Sequence, residues 1–395
     1  MSSGIYLHSP GLVCALGHGI RHVRQALWDA AGPAGLTHTE RYSPGRSLPV
    51  GEIQAALPSL AHVAPEFRIR NNAIALLALA EMRPAVDAAI GRFGSDRVAI
   101  VVGTSTSGLP EGEAARRTLE RTGSWPRGFS YAQQELGNLA DFLAVELGVT
   151  GVAHVISTAC SSGAKSLASG ARLLNAAMAD AVVAGGCDAL GAFTVAGFSA
   201  LEAVSAARCN PMSVNRRGIN LGEGAAFFLM TREPGPVRLA GWGESSDAHH
   251  MSTPDPTGRG AMRAMQSALQ RAGVPAGAVD YINLHGTATH YNDAMESLAV
   301  AQVLGTDVPA SSTKPLTGHT LAAAGAIEAA FGWLTLVDNP RGVLPPHWWD
   351  GQPDPALAPL RLVAPNDSLG RAPRYMLSNS FAFGGSNASV LLGCA

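Results

Sequence analysis

The run Ser161–Met178, SSGAKSLASGARLLNAAM, restricts the fold more than any other part of the chain. It carries a helical pattern, yet Gly, Ala and Ser dominate it, so a helix here loses propensity at its glycines and gains little from side-chain burial. Its small residues allow close approach on every side. A helix of this composition fits between two sheets, with layers packed near its axis on both faces.

The rest of the chain supplies such layers. Short β-branched runs alternate with helical patterns, which predicts an α/β architecture with largely parallel sheets. Strands are expected near Ile5–Val13, Arg97–Gly103, Val152–Thr158, Asp180–Gly186 and Gly224–Thr231. Helices are expected near Ile20–Ala30, Ile69–Ile90, Gln133–Leu147 and over Ser161–Met178, with Pro84 kinking or breaking the second. Leu136, Leu139, Leu143 and Leu147 are spaced to share one helical face. Arg232-Glu-Pro-Gly-Pro236 then interrupts any regular element, because its prolines remove amide donors and fix φ. After it come strand Val237–Gly243, helix Gly260–Ala272, strand Val279–His285, helix Asn292–Leu304, strand Val308–Ser312, helix Leu321–Val337 and strands Arg374–Asn379 and Ala388–Leu392. The element order therefore predicts two similar halves, 1–232 and 237–395, each a β-α-β-α-β series closed by paired strands.

Composition narrows the function classes. With 47% hydrophobic and 15% charged residues among 395, the chain has material for a large core and is not of a disordered class. The net charge of −2 gives no broad electrostatic footprint for nucleic acid or an anionic membrane. Five scattered cysteines without a C-x-x-C pair suggest neither a zinc site nor a disulfide framework, so a reducing cytoplasm is the expected compartment and no metal or cofactor is implied. The N-terminus lacks the basic n-region of a signal peptide, and the longest apolar run, Leu321 to Val337, is interrupted by Glu328, so membrane insertion is not expected. Of 28 basic residues only Lys165 and Lys314 are lysines.

Four segments carry chemistry-bearing residues. In His154-Val-Ile-Ser-Thr-Ala-Cys160-Ser-Ser-Gly a strand runs into a cysteine at a helix start, where free amides and the helix dipole favour thiolate and would lower the pKa; the other reading is a buried, inert thiol. Leu284-His285-Gly-Thr-Ala-Thr-His-Tyr-Asn-Asp293 places His285 at a strand's carboxyl end, where α/β sheets bind ligands, although a satisfied core histidine fits as well. His290, in the following turn, is assigned to solvent or packing. Ser311-Ser-Thr-Lys314-Pro-Leu-Thr-Gly-His319 puts a histidine at a helix N-terminus, where the dipole keeps imidazole neutral. Glu328 in the apolar helix beyond would need a partner if buried, and Lys314 is the candidate. Asn379-Ser-Phe-Ala-Phe383-Gly-Gly-Ser-Asn387 is a glycine turn between strands, permitting φ > 0 and close backbone approach to a ligand. Gly103-Thr-Ser-Thr-Ser-Gly108 lacks the lysine of a phosphate-binding loop, and Asp247, His249 and His250 have no recognisable metal-ligand spacing.

In this order, Thr158-Ala-Cys160-Ser-Ser, His285-Gly-Thr-Ala-Thr, Lys314-Pro-Leu-Thr-Gly-His319 and Ser380-Phe-Ala-Phe-Gly-Gly-Ser-Asn387 resemble the β-ketoacyl-acyl carrier protein synthases of the thiolase superfamily, elongating Cys-His-His type. Phe198-Ser-Ala-Leu201 and Gly222-Glu-Gly224 also match, and the resemblance spans nearly the whole chain. It implies a thiolase-like α/β fold, a layered α-β-α-β-α sandwich. It also implies a decarboxylative condensation: Cys160 takes an acyl primer as a thioester, His285 and His319 hold the malonyl thioester oxygen, and Lys314 with Glu328 keeps the site in order. The backbone N–H groups of Cys160 and Phe383 form the oxyanion hole, Phe383 gates the acyl pocket, and Gly384, Thr287, Thr289 and Phe198 complete the substrate site.

The implied partners are acyl- and malonyl-loaded acyl carrier protein and a second subunit, as a homodimer or with a paralogous ketosynthase-like chain; Arg68, Arg70, Arg116, Arg117 and Arg121 are candidate docking charges. A non-catalytic chain-length-factor subunit and a thiolase-type coenzyme A acyltransferase are the alternatives, the first having lost the nucleophilic cysteine that this chain retains. Gly103-Thr-Ser-Thr-Ser-Gly-Leu109 and Tyr131-Ala-Gln-Gln-Glu-Leu-Gly137 look like the branch that makes aryl polyene or xanthomonadin-type pigments. The chain departs from the family pattern at Ala382, at Pro211-Met-Ser-Val-Asn-Arg-Arg-Gly-Ile219 in place of P-F-D-x-x-R-x-G-F, and at Lys165, where primary-metabolism synthases often carry His.

Overall fold

The computed structural model describes residues 4–395. Its first half contributes the principal strands β1 (Gly11–Cys14), β2 (Val98–Gly103), β3 (Ala153–Ile156), β4 (Ala181–Asp188) and β5 (Gly224–Thr231). Its second half contributes β6 (Val237–Ser246), β7 (Tyr281–Asn283), β8 (Pro309–Ser311), β9 (Tyr375–Ala382) and β10 (Ser386–Cys394). The spatial order is β3-β2-β4-β5-β1 in one and β8-β7-β9-β10-β6 in the other. The senses of pairing match as well: the first two contacts of each row are parallel and the last two antiparallel. The duplication that element order predicts is thus present in topology. The short strand Tyr6–Leu7 pairs antiparallel with both β5 and β6 and joins the two rows into one sheet system.

Six helices build the layers: α1 (Arg70–Phe93), α2 (Asn138–Leu147), α3 (Ser162–Asn175), α4 (Arg259–Ala272), α5 (His290–Leu304) and α6 (Ala324–Leu336). Both faces of the sheets are buried, and strand alternation divides the core. Along β5, Ala225, Phe227 and Leu229 face the outer layer of α1 and α2, while Ala226, Phe228 and Met230 face inward. The inner cluster takes Leu167 and Ala171 of α3, Ile327 and Phe331 of α6, and Met376, Val390 and Leu392 of the second row. A third cluster packs α4 and α5 on the outer face of that row, through Met265, Leu269 and Val300 against Ile282, Leu377 and Leu391. These are the layers of an α-β-α-β-α sandwich, with α3 and α6 at the centre.

The small-residue composition of α3 has its reason here. A Cβ on Gly163 would lie 2.8 Å from the Ala322 carbonyl oxygen and 2.9 Å from the Ala326 nitrogen, and one on Gly325 would lie 2.9 Å from the Ala164 nitrogen. The two central helices cross backbone against backbone. Every residue of α6 is buried, as its uniform apolarity predicts.

Several expectations shift. Pro84 does not break α1: it and Ala80, whose carbonyl loses its i+4 donor, are both exposed, so water can serve that carbonyl. The strand expected over Ile5–Val13 divides into Tyr6–Leu7 and β1 around Pro10. Leu136 lies outside α2 and is 39% exposed, because the chain makes a 3-10 turn at Tyr131–Gln134 and starts the helix only after Gly137. Helices Leu109–Thr122 and Ala192–Ala200 escaped the sequence reading; each buries one residue, Ala115 or Val195, and so has little apolar periodicity to detect. No helix among the described residues is long and apolar enough to cross a membrane.

Candidate active site

The site lies where three crossovers end at the middle of the sandwich. After β3 the chain turns through Ala159 at φ 51°, a left-handed conformation uncommon for a residue with a Cβ, and enters α3 two residues past Cys160. Ser162 Oγ accepts the Thr158 N–H at 2.9 Å and donates to the Ala159 carbonyl at 2.6 Å, which holds the elbow shut. Cys160 is 6% exposed. Burial pushes its thiol up to about 12, against the Lys314 charge and the backbone N–H groups of Phe383 and Cys160 itself, which pull it down. The lowered pKa expected from the helix start is therefore not found: desolvation outweighs the stabilising groups.

His319 supplies what the thiol needs. Its Nε2 is 2.8 Å from Cys160 Sγ, and its own N–H, donating to the Asn220 carbonyl at 2.6 Å, fixes the backbone. His285 stands edge-on to His319, ring centroids 5.4 Å apart at 83°. Both imidazoles are held well below their ordinary pKa, first by burial and then by the Lys314 charge, so both are neutral at physiological pH. The expected neutrality of His319 holds, with burial as the leading cause. Nδ1 of each ring is buried without a protein partner.

Behind the histidines Lys314 Nζ and Glu328 Oε1 meet at 2.5 Å, almost fully buried. Burial raises the Glu328 carboxyl to about 6 against the pull of Lys314. The ligand atoms of Cys160, His285 and His319 lie within 4.8 Å of one another, a donor set that a soft divalent ion could use. The Lys314 charge, which adds to burial in keeping the imidazoles neutral, disfavours a cation there. Asp247 is occupied by the Asn387 side-chain amide at 2.7 Å and the Asp255 N–H at 3.1 Å, so it forms no metal cluster with His249 and His250.

Cys160, His285 and His319 form the floor of a cavity of about 500 Å³. Phe198 and Phe383 meet across it with centroids 5.7 Å apart, and Thr287 and Thr289, their hydroxyl oxygens 3.0 Å apart, line the wall. Gly384 and Gly385, at φ 83° and 73°, carry the turn over the cavity. Sequence reading missed Arg217 and Tyr291 at the opening, and it set aside His290, which also lines it.

It also missed the buried carboxylates that shape the loops. Asp188 accepts from Thr104, Ser105, Thr106 and the Ala322 N–H, joining the first half to the His319 segment. Glu296 accepts the N–H groups of His285 and Gly286 at 2.7 Å each. Their donors are backbone amides together with hydroxyls and side-chain amides that in large part only the fold brings to them, so local sequence does not reveal the role. Where the family pattern has an aromatic and a carboxylate, the Met212 N–H donates to Asp293, and the Ser213 hydroxyl donates to Asp350 at 2.8 Å, a carboxylate supplied from a distant loop. Of the candidate docking arginines, Arg70 is tied to the fully buried Glu223, and Arg68 holds the Val63 and Ala61 carbonyls.

Comparison with known proteins shows the family. Residues 12–234 match the family described as Beta-ketoacyl synthase, N-terminal domain, and residues 237–348 match Beta-ketoacyl synthase, C-terminal domain. The 3-oxoacyl-[acyl-carrier-protein] synthase 2 of Rhizobium meliloti (strain 1021) is 36% identical over 315 residues, 74% of this chain and 73% of that one; the Staphylococcus aureus protein of the same name is 32% identical over 317 residues, 75% and 77%. Among solved structures, the ketosynthase ApeO in complex with its chain length factor ApeC from Xenorhabdus doucetiae superposes with a TM-score of 0.94 at 43% identity, covering 100% of this chain and 98% of that one. A β-ketoacyl synthase from Burkholderia phymatum STM815 gives 0.87 at 26%, covering both chains fully. Both family halves, their relatives and the shared architecture lead to one assignment: this chain belongs to the β-ketoacyl synthase family.

Proposed function

We propose that the protein is a β-ketoacyl-acyl carrier protein synthase, carrying an acyl primer on Cys160 and extending it by two carbons from malonyl-acyl carrier protein. The observation that carries this reading is the contact of Cys160 Sγ with His319 Nε2 at 2.8 Å beside a second neutral imidazole. In the first step the thiol attacks the primer thioester, its proton passing to His319, and the carrier thiol leaves. In the second the bond to the malonyl carboxylate breaks, carbon dioxide departs, and the electron pair forms an enolate whose oxygen is held by His285 and His319. Neutral donors stabilise that charge without trapping it as an ion pair. The enolate carbon then bonds to the primer carbonyl, whose oxygen faces the Cys160 and Phe383 N–H groups, and the C–S bond breaks to return Cys160. Lys314 and Glu328 are positioning residues that set the electrostatics of both rings.

The division at 232/237 puts the nucleophile in one half and both histidines in the other, so each half is inactive alone; the repeated strand order supports this division. We place the protein in the cytoplasm, acting on carrier-bound substrates and paired with a second copy or a paralogous ketosynthase-like subunit. The 43% identity to ApeO, a ketosynthase in complex with a chain length factor, supports the paralogous pairing. It is also consistent with the aryl polyene branch, for which the 103–109 and 131–137 segments speak. Retention of Cys160, His285, His319 and Lys314 disfavours the non-catalytic subunit reading.

The test is to incubate wild type and Cys160→Ala with a panel of acyl- and aryl-loaded carrier proteins, and separately with the matching coenzyme A thioesters, and weigh the intact enzyme. An acyl adduct on wild type alone, with aryl primers preferred, is expected; an adduct on Cys160→Ala, or one formed only from coenzyme A thioesters, contradicts the reading.

A further inference from the structure

Lys165 is one of two lysines in the chain, and the reaction above gives it no task. It lies on α3, half-buried, and its Nζ donates to Ser386 Oγ at 2.7 Å. Among the described residues no carboxylate pairs with it. Ser386 opens β10, directly after the Phe383-Gly384-Gly385 turn. Its hydroxyl also meets Ser161 Oγ at 3.0 Å, and Ser161 Oγ donates to the Thr158 carbonyl at 2.8 Å. The ammonium only donates and the Thr158 carbonyl only accepts, so the single Ser161 hydroxyl proton goes to Thr158 and the Ser386 hydroxyl is left to donate to Ser161. Lys165 donates a hydrogen bond to Ser386, Ser386 donates to Ser161, and Ser161 donates to the Thr158 carbonyl. These bonds run from the elbow that carries Cys160 to the turn that carries Phe383.

The turn needs such a tie. Gly384 and Gly385 both occupy the left-handed region and give it little stiffness of their own. On its outer side the Gly384 N–H donates to the Met251 carbonyl at 2.7 Å; on its inner side stands Ser386. The Phe383 N–H, which helps to pull the Cys160 thiol down and which the proposed reaction places in the oxyanion hole, lies just before the first tie and three residues before the second. We propose that Lys165 is a positioning residue whose ammonium, acting through Ser386 and Ser161, holds the glycine turn so that the Phe383 N–H stays aimed at the thioester oxygen on Cys160. This rests on the reading that Cys160 carries the acyl group. A compact ammonium suits a tie to one hydroxyl, whereas the guanidinium used at every basic position but Lys165 and Lys314 presents a broad fork.

The test measures kcat and KM for primer transfer from carrier protein with wild type, Lys165→Met, Ser386→Ala and the double variant, with thermal midpoints for each. Losing one oxyanion donor outright costs about 10²–10³ in rate, so misaligning it is expected to lower kcat about tenfold or more, with KM within about twofold. Because both substitutions break one tie, the double variant is expected to be no slower than the slower single. Full kcat in the singles, a loss confined to KM, or losses that multiply in the double overturns the proposal. If Lys165→Met does not fold, Ser386→Ala and Ser161→Ala carry the same comparison. Absence of transfer by wild type defeats the functional reading, whereas wild-type transfer with undiminished variants defeats the tie alone.

Discussion

At the scale of residues, the proposed nucleophile is a thiol that burial keeps protonated, beside an imidazole that burial keeps neutral. In the proposed reaction, activation therefore runs through proton acceptance by His319 rather than through a standing thiolate. Alkylation of Cys160 by iodoacetamide is expected to quicken with each pH unit above 8 and to slow at least about tenfold in His319→Ala, since only the thiolate reacts; a rate flat from pH 6 to 9 contradicts this. Lys314 and Glu328 depend on each other. Glu328→Gln leaves a buried ammonium without its counter-charge and is expected to cost about 3–5 kcal/mol in urea unfolding. Glu296 gives a signed pH effect, because burial raises its carboxyl to about 7. The folded state then holds the proton longer than the unfolded chain, so this contribution to stability is present at acid pH and lost as pH rises through about 7. The stability of wild type relative to Glu296→Gln should fall between pH 4.5 and 7.5, and a rise contradicts the assignment. Cys160, His285, Lys314 and His319 were legible because each ends a strand or opens a helix in a recognisable context. Asp188 and Glu296 were not, because key donors, the Thr104–Thr106 loop and the Ala322 N–H on Asp188 and the Asn379 amide on Glu296, are far away in sequence.

At the scale of elements, the composition of α3 was the informative signal. Its glycines and alanines mark a crossing with α6 in which an added Cβ meets backbone atoms that cannot move aside. Gly163→Ala is expected to destabilise by about 1–3 kcal/mol, as overpacking does. Gly91, at the exposed end of α1 with nothing within 4 Å of an added Cβ, should respond oppositely: Gly91→Ala is expected to stabilise by about 0.5–1 kcal/mol. Equal effects of the two substitutions in chemical denaturation contradict the packing account. Amphipathic spacing made α4 readable, and long runs of apolar and helix-favouring residues did the same for α1, α5 and α6. Leu109–Thr122 and Ala192–Ala200 lie largely on the surface, where little apolar pattern is required.

At the scale of the whole molecule, the duplication was readable as element order, but its pairing was not. That Tyr6–Leu7 bridges β5 and β6, and that β3 ends its row, are long-range facts that no local pattern encodes. Among the described residues no strand pairs with the outer edge of β3, and Val152 beside it is 39% exposed. An edge of this kind is a template for another chain. Light scattering is expected to give a two-chain particle, alone or on co-expression with a ketosynthase-like paralogue; a monomer in both preparations contradicts the pairing. The central claim is that Cys160 and the two imidazoles join a primer to a malonyl unit. Its most direct test is the mass of the carrier-bound product when acyl-loaded enzyme meets malonyl-acyl carrier protein. The account predicts a β-ketoacyl-carrier thioester two carbons longer than the primer, with carbon dioxide released in equal amount. Recovery of the primer only as free acid or as a coenzyme A thioester, with no elongated carrier product, contradicts it.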